Sequence, residues 1–178
     1  MNTSDDSQDT ELEKFISEAR VLIVDDNERN RMLISAFLKA ANINNQEFAC
    51  DGVDGLDKVD EFNPDLIILD IMMPNMDGIE FMHHLRNSAD QATTPILVQT
   101  ALSSPDECNR IYASGASDMV SKPINAAEMI TRVRTHLQLR HLANVYQNQM
   151  RIETELNAAR RMQEALLPPS SLLDEVCE

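Results

Sequence analysis

Five short apolar runs, each followed by an amphipathic stretch, constrain this chain more than any other feature. Residues 21–24 (VLIV), 66–69 (LIIL) and 96–98 (ILV) are uninterrupted runs of Val, Ile and Leu, as strands covered on both faces must be. Residues 48–50 form a weaker run and residues 117–121 a last one; Pro64 and Pro95 stand just before two of the runs. Between them, Met32, Ile34, Phe37 and Leu38 recur at helical spacing within residues 28–40. Val53, Leu56 and Val59 mark a second helix, and Ile79, Met82 and Leu85 a third. Residues 105–114 predict a fourth, closed by Gly115, and a further helix opens near Asn125. Strand and helix alternating in this way predict an α/β fold, a doubly wound five-stranded parallel sheet with helices on both faces. Right-handed crossovers restrict the topology, and ligands of such sheets bind at the carboxyl ends of the strands.

The polar residues at those ends are specific. The first strand runs into Asp25 and Asp26, the third into Asp70, the fourth into Thr100, and the fifth into Lys122 and Pro123. Taken singly, each has a plain structural reading: Asp25 or Asp26 as a helix N-cap, Asp70 before a turn, Thr100 as a strand residue, Lys122 as a surface cation. Their convergence on one sheet edge points to chemistry. Three carboxylates in one pocket repel one another unless a hard divalent cation with oxygen ligands joins them, and Mg²⁺ fits that description. Asp70, on the central strand, is then placed as the nucleophile for an acyl phosphate. Lys122 would offset the phosphoryl charge and the Thr100 hydroxyl would donate to a phosphoryl oxygen. Pro123 fixes the backbone after the lysine, and an X–Pro bond there can be cis.

The segments 21–27 (VLIVDDN) and 70–78 (DIMMPNMDG), the pairs Thr100-Ala101 and Lys122-Pro123, and the intervals between them resemble the receiver domain of two-component response regulators. The resemblance covers about residues 19–140. It implies a flavodoxin-like sheet of order 2-1-3-4-5 and a phosphoryl group received on Asp70 from a sensor histidine kinase or phosphotransfer protein. It further implies Mg²⁺ held by Asp26 and Asp70 directly, by Asp25 mainly through water, and by the backbone carbonyl of Met72. Thr100, with Ala101 beside it, becomes the switch hydroxyl and Lys122 the phosphate-binding ammonium. Receivers commonly carry an aromatic three residues before that lysine; here the position is Met119, so the switch must work without an aromatic rotamer. Met72 and Leu102 flank the phosphoryl site and neither positions an attacking water, which predicts slow self-dephosphorylation. Aspartyl-phosphate phosphohydrolases use a second Asp two residues after the nucleophile, and Met72 at that place argues against an enzyme of that kind.

No glycine follows Gly115, and between Pro123 and Pro168 there is no proline. Residues 126–167 are rich in strong helix formers. Leu142, Val145, Gln149, Ile152, Leu156, Ala159, Gln163 and Leu166 alternate spacings of three and four, the pattern of a coiled-coil seam. The reading is a receiver helix continuing into a parallel homodimeric coiled coil, with Gln149 and Gln163 weakening it and setting its register. The competing reading folds the helix back on its own domain. Residues 155–169 (ELNAARRMQEALLPP) also resemble the helix leading into PP2C-type (SpoIIE-like) serine/threonine phosphatase domains, through Ala159-Arg160, Gln163 and Leu166-Leu167-Pro168. That resemblance implies a longer protein with a phosphatase output acting on a phosphorylated anti-sigma-factor antagonist. The alternative is a stand-alone receiver-driven dimerisation module without catalytic output.

The expected layout is an acidic tail at 1–18, a receiver at 19–135, an extended linker helix at 136–167, and the start of an effector or tail at 168–178. In the tail Asp5, Asp6, Asp9, Glu11, Glu13 and Glu18 face a single base, Lys14, and up to Thr10 there is no apolar period, which predicts disorder there and at most a helical turn at 11–18. The net charge of −15 and the absence of Trp argue against direct nucleic-acid binding. No apolar run approaches the roughly 20 residues of a membrane span, and the acidic N-terminus is unlike a secretory signal. Cys50, Cys108 and Cys177 form no motif or disulfide framework, which suits the cytoplasm. His83 and His84 are adjacent on a helix and cannot share one face, so they make no metal site.

Overall fold

The computed structural model describes residues 3–88, 91–101 and 104–166; Leu102, residues 167–178 and the side chain of Leu166 lie outside the described residues. The chain forms two compact units, Met1–His141 and Leu142–Glu178. Its elements are α1 (Thr3–Glu18), β1 (Val21–Val24), α2 (Glu28–Ala40), β2 (Gln46–Ala49), α3 (Gly52–Phe62), β3 (Leu66–Asp70), α4 (Gly78–Asn87), β4 (Ile96–Thr100), α5 (Pro105–Ala113), β5 (Asp118–Ser121) and α6 (Ala126–Leu166). The five strands pair in parallel in the order β2-β1-β3-β4-β5. This is the doubly wound topology expected from the alternation of strands and helices.

The strands are apolar on both faces because both faces are covered. Val21 and Ile23 of β1, with Ile68, Leu97 and Val120, pack under Ile34 and Leu38 of α2 and Met129, Val133 and Leu137 of α6. Leu22 and Val24, with Ile67, Leu69, Ile96 and Val98, pack under Val59 of α3, Phe81, Met82 and Leu85 of α4, and Ile111 of α5. Each fully buried Leu, Ile or Phe contributes about 1.5–3 kcal/mol relative to exposure.

Where a strand hands over to a helix, a short polar side chain accepts from the first turn. Asn27, Asp51, Asp77 and Ser104 cap α2, α3, α4 and α5, and Asn125 Oδ1 accepts from the Glu128 N–H at 3.1 Å before α6. Each such cap is worth about 0.5–2 kcal/mol. Ser114 closes α5, and Gly115 follows with φ 108°, a left-handed conformation that favours glycine.

The N-terminal segment departs from expectation. Residues 1–18, read as an acidic tail with no structure before Thr10, contain the helix α1. The stripe Leu12, Phe15, Ile16 and Ala19 docks it on the core: Ile16 and Ala19 are buried with Val133 and Leu137. The Phe15 ring lies 4.8 Å from that of His141, and Glu13 pairs with Arg134. The stripe sits at one end of the segment, so period alone suggested a single turn. Once that end is docked, the helix propagates toward Thr3 without a second nucleation. In β2 the paired residues begin at Gln46, not Phe48, because Gln46 registers with Val21, and Cys50 falls outside the strand, exposed.

Candidate functional site

At the carboxyl edge of the sheet, β1 and β3 are neighbours and their last residues deliver carboxylates into one pocket. Oxygens of Asp25, Asp26 and Asp70 all lie within 4.8 Å of one another. Asp25 is fully buried, Asp70 nearly so, and Asp26 is exposed. Among the described residues this is the one group of three or more metal-ligating side chains. Lys122, immediately after β5, reaches across the edge: its Nζ lies 2.7 Å from Asp70 Oδ2 and 3.9 Å from Asp25 Oδ2. The Lys122 N–H donates to the Thr100 carbonyl at 2.8 Å, and the Lys122–Pro123 peptide is cis. Thr100 is 5% exposed at the end of β4, beside Ser121 in register. The sheet thus brings Asp25, Asp26, Asp70, Thr100 and Lys122 to one edge.

Each carboxylate is held. Asp25 Oδ1 accepts from the Asn27 N–H at 2.8 Å, and the Asn30 amide donates to both Asp25 oxygens at 3.3 and 3.1 Å. Arg31 donates to the Asp25 carbonyl at 2.6 Å. Burial pushes the Asp25 carboxyl above its ordinary pKa; the Asn27 N–H pulls back, the Asp70 charge pushes further up, and Asn30 and Lys122 pull down. Asp70 Oδ1 accepts from the Ile71 N–H at 2.8 Å, which leaves Oδ2 to Lys122.

The loop from Asp70 to Gly78 is folded tightly over the site. The Gly78 N–H donates to the Ile71 carbonyl at 3.0 Å. A Cβ on Gly78 would stand 2.4 Å from the Asp70 carbonyl oxygen, so no other residue allows that approach. Asn75, with φ 66°, donates to Asp51 Oδ2 at 2.6 Å and ties the loop to the start of α3. The Met72 side chain is 75% exposed beside the pocket, whereas Met119 is half-buried in the layer under α4 and α5. His83 and His84 are both exposed.

A family model for the response regulator receiver domain matches residues 21–134. The chain belongs to the response-regulator receiver family. The receiver resembles the chemotaxis response regulator CheY4 of Vibrio cholerae with a TM-score of 0.61 and 34% identity, over 67% of this chain and 98% of that one. A response regulator of Chloroflexus aurantiacus aligns with a TM-score of 0.64 at 28% identity, over 67% of this chain and 97% of that one. Among curated proteins, it is 37% identical over 119 residues to the DNA-binding dual master transcriptional regulator RpaA of Synechocystis, covering 67% of this chain and 49% of that protein. It is 38% identical to the response regulator MprA of Mycobacterium avium, covering 67% and 51%. The receiver chain therefore spans about half the length of the curated relatives it matches. No helix among the described residues is long and apolar enough to cross a membrane.

Several residues that build the receiver site were not singled out from sequence. Asn27, Asn30 and Arg31 share one face at the start of α2 by their spacing of three and four, a signal that helical periodicity alone could have shown. The Asn75–Asp51 tie has no such signal, because it joins positions 24 residues apart. Gln99 also went unremarked. It is fully buried in β4 beside Asp70, and neither amide atom has a hydrogen-bond partner among the described residues.

Proposed function

We propose that this receiver accepts a phosphoryl group on Asp70 from the phosphohistidine of a sensor kinase or phosphotransfer protein. The observation that carries the reading is Asp70 Oδ2, nearly buried, 2.7 Å from the Lys122 ammonium and among two further carboxylates. A carboxylate oxygen of Asp70 attacks phosphorus, a P–O bond forms, the P–N bond breaks, and the electron pair leaves with the imidazole nitrogen. The donor set of three carboxylates suits a hard divalent ion; Asp26 and Asp70 would hold Mg²⁺ directly, Asp25 mainly through water, and the Met72 carbonyl would complete the protein ligands. Bound there, Mg²⁺ supplies positive charge against the transferring phosphoryl oxygens.

The chain's own residues do the rest. Asn30 and the Asn27 N–H keep Asp25 oriented, and Gly78 lets the loop lie close over Asp70. Lys122 moves its charge from the free carboxylate to the phosphoryl oxygens, and Thr100 donates its hydroxyl to one of them. Because Lys122 N–H and the Thr100 carbonyl are bonded, a shift at Thr100 and Ala101 carries the end of β5 with it. Met119, flexible and half-buried, repacks behind them in the place of an aromatic switch.

The output is read from α6. Leu142, Val145, Ile152 and Leu156 are 65, 40, 53 and 55% exposed on one helix. That stripe supports a helical homodimer as the element that the receiver biases. The likeness of residues 155–169 to the PP2C lead-in supports a phosphatase output acting on a phosphorylated anti-sigma-factor antagonist. The net charge of −15 supports a chain that makes no direct nucleic-acid contact, and cysteines without a disulfide framework support a cytoplasmic location.

Incubation with a small phosphodonor and Mg²⁺ tests the reading: wild type takes up label and Asp70→Ala does not. Equal labelling of both proteins would refute it.

A further inference from the structure

We infer that the second unit pairs with the same helix of a second copy in parallel and in register, and that Glu155 of one helix facing Arg160 of the other sets that register. The inference rests on the parallel helical-dimer reading above and adds the charged pair that fixes its alignment. Along the stripe, Leu142, Gln149, Leu156 and Gln163 alternate with Val145, Ile152 and Ala159, so that the two sets occupy the a and d positions of a heptad. In a parallel, in-register pair each a residue meets its own counterpart. Gln149 then meets Gln149 and Gln163 meets Gln163, and an amide can both donate to and accept from its twin. In an antiparallel pair a faces d. An antiparallel alignment therefore sets these glutamines against the apolar d residues, leaving amides buried without partners.

The flanks discriminate further. Glu155 lies at a g position and Arg160 at the e position of the following heptad, and in a parallel pair g faces the partner's e five residues on. The two-fold axis makes this contact twice. Both side chains are available for it: Glu155 is 72% exposed and only loosely paired, 4.0 Å from Arg151, and Arg160 is exposed. A slip by one heptad sets Gln149 and Gln163 against leucines and brings Glu155 against Glu153. Charge and amide placement thus select the same alignment independently.

Sedimentation equilibrium of the full chain at low salt tests this with Glu155→Lys, Arg160→Glu and the double exchange. Each single change turns two attractions into two repulsions and weakens self-association on the order of tenfold, while the double exchange restores the wild-type dissociation constant to within about twofold. Both positions are solvent-facing, so folding is undisturbed, and circular dichroism checks it. Dimers indifferent to the single changes, or not rescued by the double exchange, overturn the register and leave the dimer standing. A wild-type chain that stays monomeric at tens of micromolar overturns the dimer reading itself.

Discussion

Lys122 Nζ lies 2.7 Å from Asp70 Oδ2 and 3.9 Å from Asp25 Oδ2, so one ammonium offsets part of the charge of the carboxylate pair before any phosphoryl group arrives. On the proposed reading it shares the pocket with a divalent ion and turns to the phosphoryl oxygens once Asp70 is modified. Replacing Lys122 with Met should lower the rate of labelling from a small phosphodonor by about 100-fold, the scale of losing one oriented donor in a site of this kind. Mg²⁺ affinity measured by calorimetry should be unchanged or tighter, because a competing cation has gone. A large loss of Mg²⁺ affinity would show that Lys122 shapes the pocket and does not compete for it.

Gln99 is a cost inside the fold. Both its amide atoms are buried without partners among the described residues. Gln99→Leu keeps the volume and removes two unsatisfied groups, which should raise stability by about 1–3 kcal/mol. Urea denaturation should show the midpoint moving up at unchanged slope.

Asp118 sets an acid limit on stability. Burial pushes its carboxyl up, but hydrogen bonds from Arg132, the Met119 N–H and His136, with the Arg132 charge, outweigh it and hold the pKa below the ordinary value. A depressed folded pKa means that the ionised group favours the folded state. Its contribution is present above about pH 4 and is lost as the pH falls through the folded pKa. Asp118→Asn should therefore lower the melting temperature at neutral pH and flatten its fall below about pH 4. An unchanged acid limb would assign that fall to other carboxylates.

Dephosphorylation should be slow. Met72, 75% exposed beside the pocket, carries a thioether that holds no water in line for attack, and Leu102, outside the described residues, is also apolar. After removal of the phosphodonor, the acyl phosphate should persist for many minutes. Decay within seconds would place an attacking water that these residues do not hold.

The β–α alternation and the strand-end residues were legible because burial on both faces leaves uninterrupted apolar runs, and each run stops at a polar residue. Asp70 and Lys122 could be found this way although they meet only through the fold. The helix α1 was not legible. Its helical pattern lies in four residues, Leu12, Phe15, Ile16 and Ala19, and their partners Val133 and Leu137 stand more than a hundred positions away. Asn30 was missed for a local reason, since an asparagine one turn into a helix reads as solvent-facing until Asp25 is placed beside it. The Asn75–Asp51 tie joins two loops, where neither periodicity nor propensity speaks.

The attachment of the phosphoryl group to Asp70 can be read directly. Borohydride reduces an acyl phosphate to an alcohol, so phosphorylated protein treated with it and digested should yield a peptide with homoserine at position 70 and unmodified Asp25 and Asp26. Homoserine at position 25 or 26, or label that survives in Asp70→Ala, would place the phosphoryl group on another residue.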